Sequence, residues 1–263
     1  MRACVAVSVT VTILLAACGA VGAPPRDACA DPNAEPIRDE ALAAAIRERL
    51  DVRSGPTCAD LAALTTLDAP GRGIRTLAGL QHAQALVSLR LADNELQSAD
   101  PVGSLAGLRF LVLDRNPLRS IDQIGALEGL FVLSLQGVRD LPGLAPLRRL
   151  ERLERVYLNG MGVRDAGALA DLTRLRFVQL DDNALSDVAF AEGLERLIEL
   201  RVAGNRIDDL GPLVANQGFA TNATLDVRNN CLVLNGDGTA RSALETLRGR
   251  GVEVEALPQR DGC

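Results

Sequence analysis

Few side chains in this sequence could do chemistry, and their spacing restricts them further. Six cysteines stand at positions 4, 18, 29, 58, 231 and 263, and the sole histidine is His82. A zinc site draws its ligands from Cys and His, normally with a close pair among them. No such pair exists, so no metal is expected. Nucleophilic catalysis through a Ser-His or Cys-His arrangement would hang on His82 alone. That residue lies in the polar run Gln81-His82-Ala83-Gln84 and reads as a solvated surface histidine. The acidic pair Asp181-Asp182 falls in what reads as an exposed turn, and Asn235-Gly236-Asp237-Gly238 has too few ligands for a calcium loop. No enzyme and no cofactor are expected.

Composition narrows the partners. The chain has 263 residues, 48% of them apolar and 24% charged, with a net charge of −6. That is too apolar for disorder. All 28 basic residues are arginine, but no arginine-dense stretch forms the phosphate-neutralising stripe that nucleic acid requires. Nucleic acid is excluded as a partner. Aromatics make up only 2% of the chain while leucine fills 44 positions, so the interior must be leucine packed on leucine.

The N-terminus addresses the chain for export. Arg2 precedes an apolar run from Ala3 to Ala17, too short to span a bilayer comfortably and shaped like a secretory signal. The run ends Leu15-Ala16-Ala17-Cys18-Gly19, which resembles the lipobox of bacterial lipoproteins. The resemblance implies cleavage after residue 17, a lipidated Cys18 as new N-terminus, and a membrane hold through several acyl chains at roughly 0.8 kcal/mol per buried CH₂. Gly19 is not the aspartate that retains many such proteins in the inner membrane, so the outer membrane is favoured in a Gram-negative cell. Residues 18–36, rich in Ala, Pro and Gly, read as the lipidated cysteine and its tether.

What must position any surface is a repeat. The pattern L-x-x-L-x-L-x-x-N-x-L starts at Leu64, Leu86, Leu108, Leu130, Leu153, Leu175, Leu197 and Asn222, in steps of 22 residues with one of 23 and one of 25. The copy from Leu108 is the clearest, with Leu111, Leu113, Asn116 and Leu118 in place. Positions 4 and 6 of each copy alternate with 3, 5 and 7, as in a short strand with one buried face. The asparagine at position 9 sits where the chain leaves the strand. Asn94, Asn116, Asn183, Asn205 and Asn230 fill it, and a ladder of their amides would tie successive coils together. The first copy has Arg72 there, the fifth has Met161, and the fourth drops two residues between Leu135 and Val138, so an irregularity is expected in mid-array. A coil of 22 residues has no room for a full return helix, and none can bury its leucines alone.

This array resembles the leucine-rich repeat in the short register of internalins and related bacterial surface proteins. The resemblance implies an α/β, β-rich fold: a right-handed, curved leucine-rich repeat solenoid with a parallel sheet on its concave face. A helical N-terminal cap is expected over residues 37–63, with helical spacing from Ile37 to Leu50 and a second helix opened by Thr57-x-x-Asp60. The eight coils would occupy residues 64–234. A C-terminal cap over residues 235–263 would hold a helix from Thr239 to Arg248 and a strand, Val252-Glu253-Val254.

Signal removal takes Cys4 and lipidation uses Cys18, leaving four cysteines. Seven strand steps of about 4.8 Å hold the caps roughly 34 Å apart, whereas a disulfide needs Cα atoms within about 7 Å. The pairs compatible with the array are Cys29–Cys58 and Cys231–Cys263, each stabilising its cap by roughly 3–4 kcal/mol in the chain-entropy model. Both suit an oxidising compartment.

Positions 3 and 5 of the copies should line the concave face. There the central coils place Phe110, Val112, Val132, Tyr157 and Phe177, flanked by Arg90, Arg155 and Arg201. Outward aromatic residues add nothing to a leucine core, and a rimmed apolar patch marks an interaction site. The expected function is a membrane-anchored, monomeric module binding a protein or peptide. The other reading is a structural envelope scaffold whose aromatics brace the sheet. Phe190 and Phe219 fall in the return segments and read as core. For the N-terminus the expectation is direct: Cys18→Ser should abolish lipid labelling, and unchanged partitioning of the variant into detergent would contradict it.

Overall fold

The computed structural model describes residues 29–235 and 238–260. Positions 3–5 of each copy form a strand of three residues: β1 (Thr66–Asp68), β2 (Ser88–Arg90), β3 (Phe110–Val112), β4 (Val132–Ser134), β5 (Arg155–Tyr157), β6 (Phe177–Gln179), β7 (Glu199–Arg201) and β8 (Thr224–Asp226). A ninth, β9 (Glu253–Glu255), follows from the C-terminal cap, and all nine pair in parallel in chain order. Pairing is in phase throughout, so Leu67, Leu89, Leu111, Leu133, Val156, Val178, Leu200 and Leu225 form one buried column. A one-residue slip would turn that column to solvent, which fixes the register.

The chain returns through 3₁₀ turns such as Asp100–Ser104, Asp122–Ala126 and Ala145–Arg149, and once through a short α-helix, Gly211–Ala215. Each turn drops at least one apolar side chain into the stack, as with Val102, Ile124 and Leu147. Phe190 and Phe219 are buried in these returns, where the sequence places them. The interior is one continuous cluster from Ile37 to Ala256.

Asparagine joins coil to coil. Asn205 is fully buried; its Nδ2 donates to the carbonyls of Leu180, Val202 and Ala203, and its Oδ1 accepts from the Leu185 N–H at 3.0 Å. Asn94, Asn116, Asn183 and Asn230 repeat this pattern against their own lower neighbours. Each side chain thus bonds the turn of its own coil and the turn beneath it. Past the last asparagine, Gln259 takes the same part: Nε2 donates to the Val227 carbonyl and Oε1 accepts from the Leu232 N–H. Val254, Ala256 and Gln259 therefore sit at positions 4, 6 and 9 of a ninth, degenerate copy, and the cap strand runs one residue later than the sequence suggests.

The mid-array break is confined to the turn. Backbone bonds continue through it, with the Leu135 N–H donating to the Tyr157 carbonyl and the Gly137 N–H to that of Asn159. Position 7 supplies a second ladder there. Asp114 Oδ1 accepts from the Gln136 N–H at 2.9 Å and the Ser134 hydroxyl at 2.5 Å, and Asn159 Oδ1 accepts from the Asp181 N–H at 2.8 Å. Asp181 Oδ1 then accepts from the Ala203 N–H at 2.8 Å.

Both ends are covered. The N-terminal cap holds α1 (Glu40–Leu50) and α2 (Cys58–Ala63). Asp39 starts α1 by accepting from the Leu42 N–H with one oxygen and from the Arg75 and Thr76 N–H groups with the other, joining cap to first coil. Helix α1 begins at Glu40, later than Ile37, because residues 35–39 run extended past Gly79. A Cβ there would lie 2.5 Å from the Pro36 carbonyl oxygen, and its φ of 97° suits glycine. Thr57 and Asp60 form a reciprocal capping box at α2. Cys29 and Cys58 are disulfide-bonded with Cα atoms 5.5 Å apart. Cys231 is disulfide-bonded too; its expected partner Cys263, like Cys4 and Cys18, lies outside the described residues. The C-terminal cap packs the helix Thr239–Gly249 against the return helix Gly211–Ala215 and against β9.

Asn205→Ala should strand several buried backbone groups and cost about 2–4 kcal/mol in urea unfolding. A loss below about 0.5 kcal/mol would show that the asparagine ladder does not hold the stack.

Candidate functional site: the open face of the sheet

In-phase pairing turns positions 3 and 5 into two straight columns on the face opposite the leucines. The position-3 column reads Thr66, Ser88, Phe110, Val132, Arg155, Phe177, Glu199, Thr224, Glu253. Beside it run Asp68, Arg90, Val112, Ser134, Tyr157, Gln179, Arg201, Asp226, Glu255. Phe110 is 40% exposed; Val112, Val132, Tyr157 and Phe177 are half-buried, and Arg90 and Arg155 are exposed. The strands thus bring the five apolar residues named from sequence onto one surface spanning β3 to β6.

The rings are spaced along the columns. Val132 and Arg155 stand between Phe110 and Phe177, and Tyr157 lies in the other column. The Arg155 guanidinium sits 4.3 Å from the centre of the Phe177 ring, a cation–π contact that holds both side chains up on the face.

Arg201 is placed differently from Arg90 and Arg155. Its Nε donates to Asp181 at 2.8 Å and its guanidinium lies 3.6 Å from Asp226. Asp226 also pairs with Arg228 at 2.6 Å, and Arg228 with Glu255 at 2.9 Å. A chain of alternating charge therefore crosses β7 to β9. Asp181, read from sequence as part of an exposed turn, is in fact buried. At position 7 its side chain lies along the sheet margin, where the Ala203 N–H and Arg201 reach it; only Asp182 is exposed.

The two buried aspartates titrate in opposite senses. Burial pushes the Asp181 carboxyl up, outweighing the hydrogen bonds from Arg201 and Ala203, and the nearby Asp226 charge adds to the rise. Burial also works against Asp226, but the hydrogen bonds and charge of Arg228, with Arg201 behind them, hold it below the usual aspartate range. Glu199, Thr224, Glu253 and Glu255, with Gln179 and the paired charges, line a shallow cavity of about 580 Å³ over these strands.

No group of His, Cys, Asp and Glu among the described residues could hold a metal ion. The position-7 ladder and the Gln259 rung were missed in the sequence. Their signals are Asp114, Gln136, Asn159 and Asp181 at one position of successive copies, and Val254, Ala256 and Gln259 in phase with the repeat.

No protein-family model matches the sequence, and no curated protein matches it. Among solved structures, internalin C2 from Listeria monocytogenes is similar over 82% of this chain and 93% of its own, at 27% identity and a TM-score of 0.72. A leucine-rich repeat protein of Leptospira interrogans matches 76% of this chain and 56% of its own, at 18% identity and a TM-score of 0.60. The fold is an internalin-like leucine-rich repeat solenoid. In this solenoid the spine of each coil is set by the repeat, so side chains at positions 3 and 5 can differ from coil to coil.

The opposed aspartates give a test of the charge chain. Because Asp226 titrates below an ordinary aspartate when folded, its charge stabilises the native state above about pH 4, and that contribution is lost as pH falls through its folded value. Asp226→Asn should therefore cost about 1–2 kcal/mol at neutral pH and far less near about pH 2. Asp181→Asn keeps the acceptor for Ala203 and removes a carboxyl whose raised value makes its charge unfavourable to folding, so it should cost less than Asp226→Asn at neutral pH. Equal, pH-independent losses from urea titrations would contradict this assignment.

Proposed function

We propose that this protein is an exported, lipid-anchored leucine-rich repeat module that binds a protein partner through the open, concave face of its sheet. The observation that carries the reading is the aromatic stripe. In a chain with six aromatic residues, three stand on the open face, and Phe110, Tyr157 and Phe177 lie outside the leucine core. Arg155 over Phe177 pairs two residue types favoured as interface anchors.

The Cys29–Cys58 disulfide supports an oxidising compartment, and the second bridge we assign to Cys231–Cys263. Cys18 would hold the module to the membrane, with the outer membrane favoured in a Gram-negative cell, and residues 19–28 would space it from the surface, since residues 29–36 are tied to the cap. Caps covering both ends of the stack support a monomer.

A pull-down with residues 27–263 should yield a protein partner, and variants of the stripe decide whether the face binds it. Truncating Phe110, Tyr157 and Phe177 together to Ala should weaken that complex by about thirtyfold or more, while thermal stability shifts by under about 1 kcal/mol. Leu113→Ala, at a fully buried position, should instead destabilise by roughly 2–5 kcal/mol. Undiminished binding by the triple variant would overturn the reading. Melting like the Leu113 variant would show that the aromatics brace the sheet.

A further inference from the structure

The open face changes chemistry along the stack. From β3 to β6 it is apolar and aromatic, whereas from β7 to β9 carboxylates dominate. Glu199, Asp226, Glu253 and Glu255 stand there with Arg201, and Asp181 and Arg228 lie along the margin. Both arginines are already engaged: Arg201 by Asp181 and Asp226, Arg228 by Asp226 and Glu255. Glu199 accepts from the Gln179 amide at 2.8 Å, and neither it nor the exposed Glu253 makes an ion pair among the described residues. Internal pairing therefore fixes the carboxylates in place and leaves a surplus of negative charge at the end of the face.

We propose that the partner lays an extended segment along the stack, with aromatic or aliphatic side chains over β3 to β6 and lysine or arginine side chains over β7 to β9. This deepens the preceding reading and rests on it, since it gives the partner's chemistry and order. Charge complementarity selects the occupant. An acidic segment would meet Glu199 and Glu253, which form no ion pair among the described residues, and like charges brought together disfavour association strongly. Geometry sets the spacing. Three strand steps from Phe177 to Glu253 span about 14 Å, the reach of about four extended residues. A partner segment should thus carry the basic residue that meets Glu253 about four residues from the apolar anchor that meets Phe177. The cavity of about 580 Å³ over β6 to β9 has room for the basic side chain.

Fluorescence anisotropy with synthetic peptide probes tests this on the folded domain. One probe carries aromatic and leucine residues followed, four residues on, by lysines; a second replaces the lysines by glutamates, and a third replaces the apolar residues by serines. The apolar-basic probe should bind at least about tenfold more tightly than either other probe, with association slowing as salt rises. Glu199→Lys combined with Glu253→Lys should remove that preference while leaving the melting temperature unchanged. Equal binding of the glutamate probe, no loss in the double variant, or no binding of the apolar-basic probe would each overturn the inference. The two readings separate cleanly. If both charged probes bind equally and the aromatic triple variant binds neither, the open face is the docking surface and the charge order is wrong. Should the lysine probe bind the triple variant undiminished, the aromatic docking surface itself is refuted.

Discussion

Each coil leaves its strand through a tight turn whose carbonyls are buried, and in five of the eight coils one asparagine side-chain amide satisfies them. That requirement governs the rest of the structure. An asparagine at position 9 has two donors and an acceptor at the right reach, so it closes its own turn and takes hold of the turn below. Strand pairing alone would fix one edge of each coil. With the amide rung added, successive coils share two lines of attachment, and the leucine columns between them stay in phase. Where the rung is missing in mid-array, at the fourth and fifth coils, the molecule shifts the work to position 7, and backbone pairing continues across the gap.

Much of this was legible because it repeats. Leucine at positions 4 and 6, asparagine at 9 and a fixed step of 22 residues determine the strand count, the buried column and the identity of the outward residues. Thr57 and Asp60 announce the second cap helix through a local capping box. What sequence did not reveal depends on partners about twenty residues away. An aspartate at position 7 reads the same whether it faces water or, like Asp181, the backbone of the next coil. Arg201 reads as a rim cation until Asp181 and Asp226 are seen to hold it. The ninth copy was hidden because Gln replaces Asn and the cap helix separates it from the eighth.

The division of labour has a functional consequence. Positions 4, 6 and 9 carry the fold, so positions 3 and 5 can vary without disturbing the core, and their side chains stand in straight columns at regular spacing. A chain this poor in aromatics nevertheless sets half of them on that face. The paired charges at the C-terminal end make the same surface directional: rigid carboxylates at one end, apolar rings in the middle. Any ligand read by such a face must match it in order as well as in composition.

The central claim is that amide rungs, together with the strands, bind coil to coil. Native-state hydrogen exchange tests it directly. The N–H groups of Ile74, Leu96, Val163, Leu185 and Ile207 donate to a rung asparagine of the coil above, whereas Leu118 occupies the same position beneath the gap. The first five should exchange as slowly as strand amides, with Leu118 at least about tenfold faster. Protection of Leu118 equal to the other five would contradict the account.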